Sequence, residues 1–153
     1  MIIEEMTESE CDDALTHTKL GRLACAHENQ PYIVPIYFIY EKPYCYAFTT
    51  VGQKVEWMRS NPRVCLEVDE IEDTQHWTSV VVFGRFEELP DITIRTESSL
   101  HALELLSQKA GWWEPAYAST ALRESAQPST RVYYRIRIDR VSGRRARPSP
   151  DSR

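Results

Sequence analysis

A mostly β fold, an antiparallel barrel of six strands with helices at its periphery, is predicted by three observations. Apolar runs of strand length recur at 20–26, 32–40, 44–49, 63–69, 77–89 and 131–141. Polar or proline-marked turns, His27-Glu28-Asn29-Gln30-Pro31 and Glu41-Lys42-Pro43, join several of them as hairpins. Helical spacing appears only in short inserted stretches, which places the helices outside a sheet that carries the core.

Taken in order, Thr7-Glu8-Ser9-Glu10 has the form of a capping box, so a short helix is predicted from about Glu8 to Thr16 with Cys11 and Leu15 facing inward. Leu20–Ala26 and the run from Tyr32 then make a first hairpin. Nearly every residue from Tyr32 to Tyr40 is apolar or aromatic, as in a strand covered on both faces. Pro35 interrupts that run, and because proline has no ladder donor it marks an edge, a bulge or a ligand site. Glu41-Lys42-Pro43 turns the chain into Tyr44–Thr49, a second hairpin.

Gln53–Asn61 puts Val55, Met58 and Trp57 on one side at helical spacing, and Asn61-Pro62 ends that helix. Arg63–Asp69 is the next strand, and 69–76 a polar loop. Trp77–Leu89 is the longest strand, with Gly84 where a bulge or a close backbone approach is expected. Leu100, Leu103 and Leu106, with His101 and Leu105 beside them, define a helix ending near Gly111. Residues 112–128 read as irregular, and Arg131–Val141 as a closing strand with arginines outward. No internal repeat is visible.

At 153 residues the chain has the size of one domain, with a core large enough to need no disulfide or metal. Its composition is that of a soluble globular protein, and no apolar run approaches the length of a membrane span. The start, MIIEEMTESECDD, is acidic where an export signal is basic, so the cytoplasm is the expected compartment. Cys11, Cys25, Cys45 and Cys65 are spread without a metal-ligand interval and read as reduced, mostly buried thiols. Net charge is −5, but residues 140–153 carry five arginines against one aspartate, +4, leaving −9 on residues 1–139. An acidic body argues against nucleic acid as a partner. Residues 1–142 are expected to form the domain, and 143–153 a basic, disordered tail.

The chemistry concentrates in Thr49-Thr50-Val51-Gly52-Gln53-Lys54. Two hydroxyls, a glycine that admits close backbone approach, and a lysine at a helix N-terminus suit a phosphate. The pattern is not that of a P-loop. An exposed turn with a solvated lysine is the alternative that local chemistry leaves open.

The order of elements resembles the FMN-binding split-barrel family related to pyridoxamine 5′-phosphate oxidase. The resemblance is carried by Gly21-Arg22-Leu23-Ala24, Tyr32-Ile33-Val34-Pro35-Ile36, Phe48-Thr49-Thr50-Val51-Gly52-Gln53-Lys54, Asn61-Pro62-Arg63-Val64-Cys65 and Val81-Val82-Phe83-Gly84-Arg85, spanning about residues 5–142. It implies a homodimer of six-stranded split barrels with FMN at the subunit interface. Val34, Pro35 and Ile36 would border the isoalloxazine, Thr49 and Thr50 would hold the ribityl-phosphate end, and Gln53 and Lys54 the phosphate. Trp77 and Ser79 match positions near the flavin, and Trp113 would cover the ring from the second subunit, although both tryptophans also suit core or interface packing.

The chain lacks the terminal tryptophan and Arg-x-His signature of the vitamin B6 oxidases, so that activity is not expected. It stands close to the nitroimidazole-resistance branch but has Thr49 where that branch has its usual histidine. His76 is the candidate proton donor, beside Trp77. The resemblance thus implies an FMN-dependent oxidoreductase acting on a small molecule, with NADH or NADPH as a transient electron donor. The alternative is a non-catalytic sensor or store holding FMN, deazaflavin or haem.

Overall fold

The structure, a computed structural model, describes residues 1–90, 96–108 and 131–150. Eight strands and three helices follow in the order β1 (Ile2–Glu5), α1 (Glu8–His17), β2 (Leu20–His27), β3 (Gln30–Tyr37), β4 (Ile39–Glu41), β5 (Tyr44–Thr50), α2 (Gln53–Ser60), β6 (Arg63–Ile71), β7 (Trp77–Glu88), α3 (Glu97–Gln108) and β8 (Arg131–Arg147). They form one antiparallel sheet in the order β3-β2-β6-β7-β8-β5-β4, with β1 added to β8. The mostly β, antiparallel class holds, but the sheet has eight strands and is not closed, against the six expected. Among the described residues no helix is long and apolar enough to cross a membrane.

The two additional strands have identifiable origins. The run from Tyr32 divides at Phe38, whose ring is buried and whose amide donates to the Lys19 carbonyl at 3.1 Å. That kink ends β3 and starts β4, so the second hairpin is β4–β5 rather than a continuation of β3. β3 is an edge strand, not one covered on both faces: Ile33 is 62% and Tyr37 45% exposed. Pro35 sits on this edge opposite Arg22, as its missing donor requires.

The other addition is β1, which pairs with the end of β8 from Ile2↔Arg147 to Glu5↔Arg144. Residues 143–147 are therefore ladder, not tail. Their charge is balanced by β1 and α1: Arg145 bridges Glu4 at 3.4 Å and Glu10 of α1 at 2.5 Å, Arg147 reaches Glu4, and Arg144 lies 3.7 Å from Glu5. Residues 151–153 lie outside those described.

Helix α1 starts as its sequence dictates. The Thr7 amide donates to Glu10 Oε2 at 2.8 Å, and the Glu10 amide donates to Thr7 Oγ1 at 3.3 Å. Hydrogen bonds from the Thr7 backbone and side chain, joined by Arg145, hold the Glu10 carboxyl below its usual range. Cys11 and Leu15 are buried as expected. Thr7→Ala should cost about 1 kcal/mol of stability, read from the chemical denaturation midpoint.

The main core lies inside the curved sheet, where Leu23, Leu66, Val80, Val82, Tyr134 and Ile136 meet Leu15 of α1 and Met58 of α2. A second cluster seats α3 against β4 and β5. There the buried positions are Ser99, Ala102 and Leu106, whereas Leu100, expected inside, is 44% exposed. The Thr96 amide donates to Ser99 Oγ at 3.1 Å, and that hydroxyl donates back to the Thr96 carbonyl at 3.0 Å, which turns Ser99 inward. All four cysteines are free, three of them buried. The predicted bulge is present, with Phe83 opposite Arg140 and Gly84 opposite Ile138, so that Asp139 is the extra residue.

Candidate functional site

The turn from β5 into α2 gathers four of the sequence-predicted residues. Thr49 closes the buried part of β5 at 9% exposure, and its hydroxyl donates to the Thr50 carbonyl at a long 3.4 Å. Thr50 and Gln53 are exposed on either side of the turn. Gly52 caps α2 with extended backbone and no side-chain cap, and a Cβ placed on it would meet nothing within 4 Å. The first helical bond runs from the Glu56 amide to the Gly52 carbonyl at 3.1 Å. The amides of residues 53–55 precede that bond, and with them comes the positive end of the helix dipole.

Lys54 stands on this helix end, half-buried. Among the described residues it makes no ion pair and no hydrogen bond. Burial pushes its ammonium pKa down, because water that would solvate the charge is excluded and no carboxylate replaces it. The titratable neighbour it senses is Cys25 of β2, whose thiol is itself pushed up by burial. A desolvated cation beside uncapped amides is a place where an anion lowers the free energy of the fold.

Residue alternation divides the β3 set. Val34 and Ile36 point inward and pack on the core, while Pro35 is exposed on the other face. Val34 pairs with Leu23 and Tyr32 with Cys25, so Val34 and Lys54 flank the same segment of β2. Apolar wall and anion cradle thus belong to one face.

Trp77 and Ser79 belong to the opposite face. Val80 and Val82 of β7 are buried inward, which sends Ser79 outward. Its hydroxyl donates to Glu67 at 3.0 Å, and Glu67 in turn pairs with Arg22 at 3.3 Å, next to Pro35. Three strand spacings, about 14 Å along the sheet, separate β7 from β3. Within one chain these residues and Lys54 do not converge. His76 lies in the exposed β6–β7 turn, where Nδ1 meets Asp73 Oδ2 at 2.9 Å and its amide donates to Asp73 Oδ1 at 2.9 Å. The structure gives it a turn-building role. Trp113 lies outside the described residues.

Sequence reasoning missed Cys25 and a group of aromatic rings next to Lys54. Trp57, one turn along α2, has its ring centroid 5.5 Å from His27 and 5.7 Å from Tyr32. Helical spacing placed Trp57 on the inward side, but the β2–β3 partners depend on tertiary packing that spacing does not carry.

Comparison with known proteins gives the family and the fold. Among solved structures, the chain is similar to a FAD-binding protein from Mesorhizobium loti, at 44% identity, TM-score 0.75, and coverage of 95% of this chain and 99% of the other. It is similar as well to the FAD-binding protein from Mycobacterium smegmatis, at 25% identity, TM-score 0.62, and coverage of 94% and 98%. A curated relative, an uncharacterised protein from Rhizobium meliloti (strain 1021), is 38% identical over 146 residues, or 95% of this chain and 97% of that protein. The family model described as pyridoxamine 5′-phosphate oxidase matches residues 7–145, and the chain belongs to that family.

Proposed function

We propose that this chain is a flavin-binding oxidoreductase that works as a homodimer. The observation that carries the reading is Lys54, a half-buried cation without a partner among the described residues, at an uncapped helix N-terminus. The residues fit the flavin mononucleotide half shared by FMN and FAD. Lys54, Gln53 and the first amides of α2 would bind the phosphate, and the Thr49 and Thr50 hydroxyls the ribityl end. Val34 and Ile36 would give the ring an apolar wall that excludes water. The names of the Mesorhizobium and Mycobacterium proteins support a flavin as ligand.

When bound, the flavin supplies the hydride and electron chemistry, and the protein's part is orientation, phosphate anchoring and exclusion of water. A small molecule would take or give the electrons, with NADH or NADPH as donor. The absent Arg-x-His signature argues against vitamin B6 oxidation.

The dimer is supported by the outward face of β2 and β3. Leu20, Ile33 and Tyr37 are 42%, 62% and 45% exposed on it, and the face continues into a groove of about 490 Å³ that Ala24, Cys65 and Phe83 help to line. Ile33→Arg should weaken the dimer roughly 30-fold or more, the scale of a 2 kcal/mol interface hot spot, and lower flavin occupancy with it. Analytical ultracentrifugation over a dilution series reads the first effect.

An absorption spectrum of the purified protein, before and after adding FMN or FAD and then anaerobic NADH or NADPH, tests the function. Two flavin bands that bleach with a nicotinamide are the expected result. Bands that do not bleach would make the protein a flavin holder, and no uptake of either flavin would end the reading.

A further inference from the structure

The outward face of the sheet carries opposite charge at its two ends, and the change runs along the β6–β7 hairpin. In β6, Val64, Leu66 and Val68 are buried inward, so Arg63, Cys65, Glu67, Asp69 and Ile71 point outward. At the base of the hairpin, the groove of about 490 Å³ has an apolar floor of Ala24, Cys65 and Phe83. Arginines rim it. Arg63 and Arg85 stand directly across from each other, and the Arg140 guanidinium lies 4.3 Å from the Phe83 ring centre. Asp139 is the acid that faces them, 3.3 Å from Arg85, while Arg63 makes no ion pair among the described residues. Like charges directly opposite on a sheet repel, so this end is short of an acid.

The tip of the hairpin is its complement. Ile71 ends β6 at 67% exposure, opposite Trp77. Residues 69–76 hold four carboxylates, Asp69, Glu70, Glu72 and Asp73, and no lysine or arginine. Among the described residues Glu70 and Glu72 make no ion pair, and Glu72 already lies in the turn, where strand alternation no longer aims it at the other face. Eight steps of strand, about 27 Å, separate Arg63 from Ile71. One end is a hole with a basic rim, and the other an apolar knob with acidic flanks.

We propose that in the homodimer the β6–β7 tip of each chain seats Ile71 in the arginine-rimmed groove of the other, with Glu72 meeting the partner's Arg63. The inference rests on the homodimer reading above and names the surfaces that meet. Charge selects this arrangement. Two identical sheets packed face to face are related by a two-fold axis that runs either along the strands or across them. An axis along the strands sets groove against groove and tip against tip, and like-charge contacts of that kind cost several kcal/mol. An axis across the strands at Glu67, midway between Arg63 and Ile71, sets each tip against a groove. The row on that axis is Pro35, Arg22, Glu67 and Val81. It can face its own copy because Arg22 and Glu67 already neutralise each other at 3.3 Å.

Sedimentation of the whole chain over a dilution series tests the docking, with circular dichroism to confirm that each variant is folded. Both exchanged side chains are exposed in the single chain. Arg63→Glu and Glu72→Arg should each weaken the dimer about 10-fold or more, because each sets like charges together at two symmetry-related contacts. The chain with both exchanges has opposite charges at both contacts again and should return to within about 3-fold of wild type. No recovery in the double exchange, a tighter dimer in Arg63→Glu, or unchanged dimers in both single variants would overturn the docking. A dimer that Ile33→Arg still dissociates would then keep the homodimer reading. Wild type that stays monomeric at every concentration would overturn the two together.

Discussion

Replacing Lys54 by methionine should lower flavin affinity by roughly 10- to 150-fold, the equivalent of about 1.5–3 kcal/mol for a charge-assisted bond to phosphate, while the unliganded protein melts no lower than wild type. The two effects share one cause. In the folded, empty protein the Lys54 ammonium is desolvated without an anion beside it, so burial depresses its pKa from the ordinary value of 10.5. Methionine keeps the stem and removes the charge.

The sign of the pH dependence follows from the same depression. Between the lowered folded pKa and the unfolded value near 10.5, the unfolded chain binds more protons than the folded one. Stability of the empty wild type therefore rises with pH across that window relative to Lys54→Met. Below the window the full burial cost is present. Flavin binding runs the other way, since phosphate favours the ammonium, and affinity should fall as pH climbs through the window. Paired thermal melts and fluorescence titrations from neutral to alkaline pH read both curves, and unchanged affinity in Lys54→Met would remove this residue from the site.

Gly84→Ala should destabilise the fold by about 1–3 kcal/mol, and Gly84→Val by more. A Cβ on Gly84 would lie 2.5 Å from the Arg137 carbonyl oxygen and 2.6 Å from Ile136 Cγ2. Side-chain rotation cannot relieve the first contact, because it is backbone. Nor can the backbone retreat easily, since Arg137 is paired with Tyr44 of β5 on one side and Arg85 of β7 on the other. The bulge at Asp139 permits this close approach, and an added methyl group would force the strands of the central ladder apart. Urea denaturation should show a lower midpoint at unchanged slope, and an unchanged midpoint would mean that the approach is looser than the geometry states.

What was legible in the sequence was local. The Thr7–Glu10 cap, Pro35 on an edge, Val55 and Met58 inward on α2 and the bulge at Gly84 all follow from backbone chemistry within a few residues. What failed depended on partners far along the chain. Gly143–Arg147 look like a solvated basic end until Glu4, Glu5 and Glu10 are placed opposite them. The division at Phe38 is invisible in an apolar run, because it is set by the Lys19 carbonyl that its amide reaches. At the site, Thr49 to Lys54 could be read because they adjoin in sequence, whereas Cys25 and the stack on Trp57 come from β2 and β3. Ser79 and Trp77 could be named but not placed, since a strand's period gives a face without saying what lies across it.

The pairing of β1 with β8 also sets the order in which this protein can be made. Ile2 leaves the ribosome 145 residues ahead of its ladder partner Arg147. Until then, the first strand has no neighbour to bond with, and β7, whose long register with β8 holds the middle of the sheet, is exposed along one edge. Closing such distant contacts is entropically slow. The half-made sheet is thus at its most aggregation-prone until β8 has emerged, and a chain cut before Gly143 would leave β1 without its ladder, a lesion that no strength of local helix capping repairs.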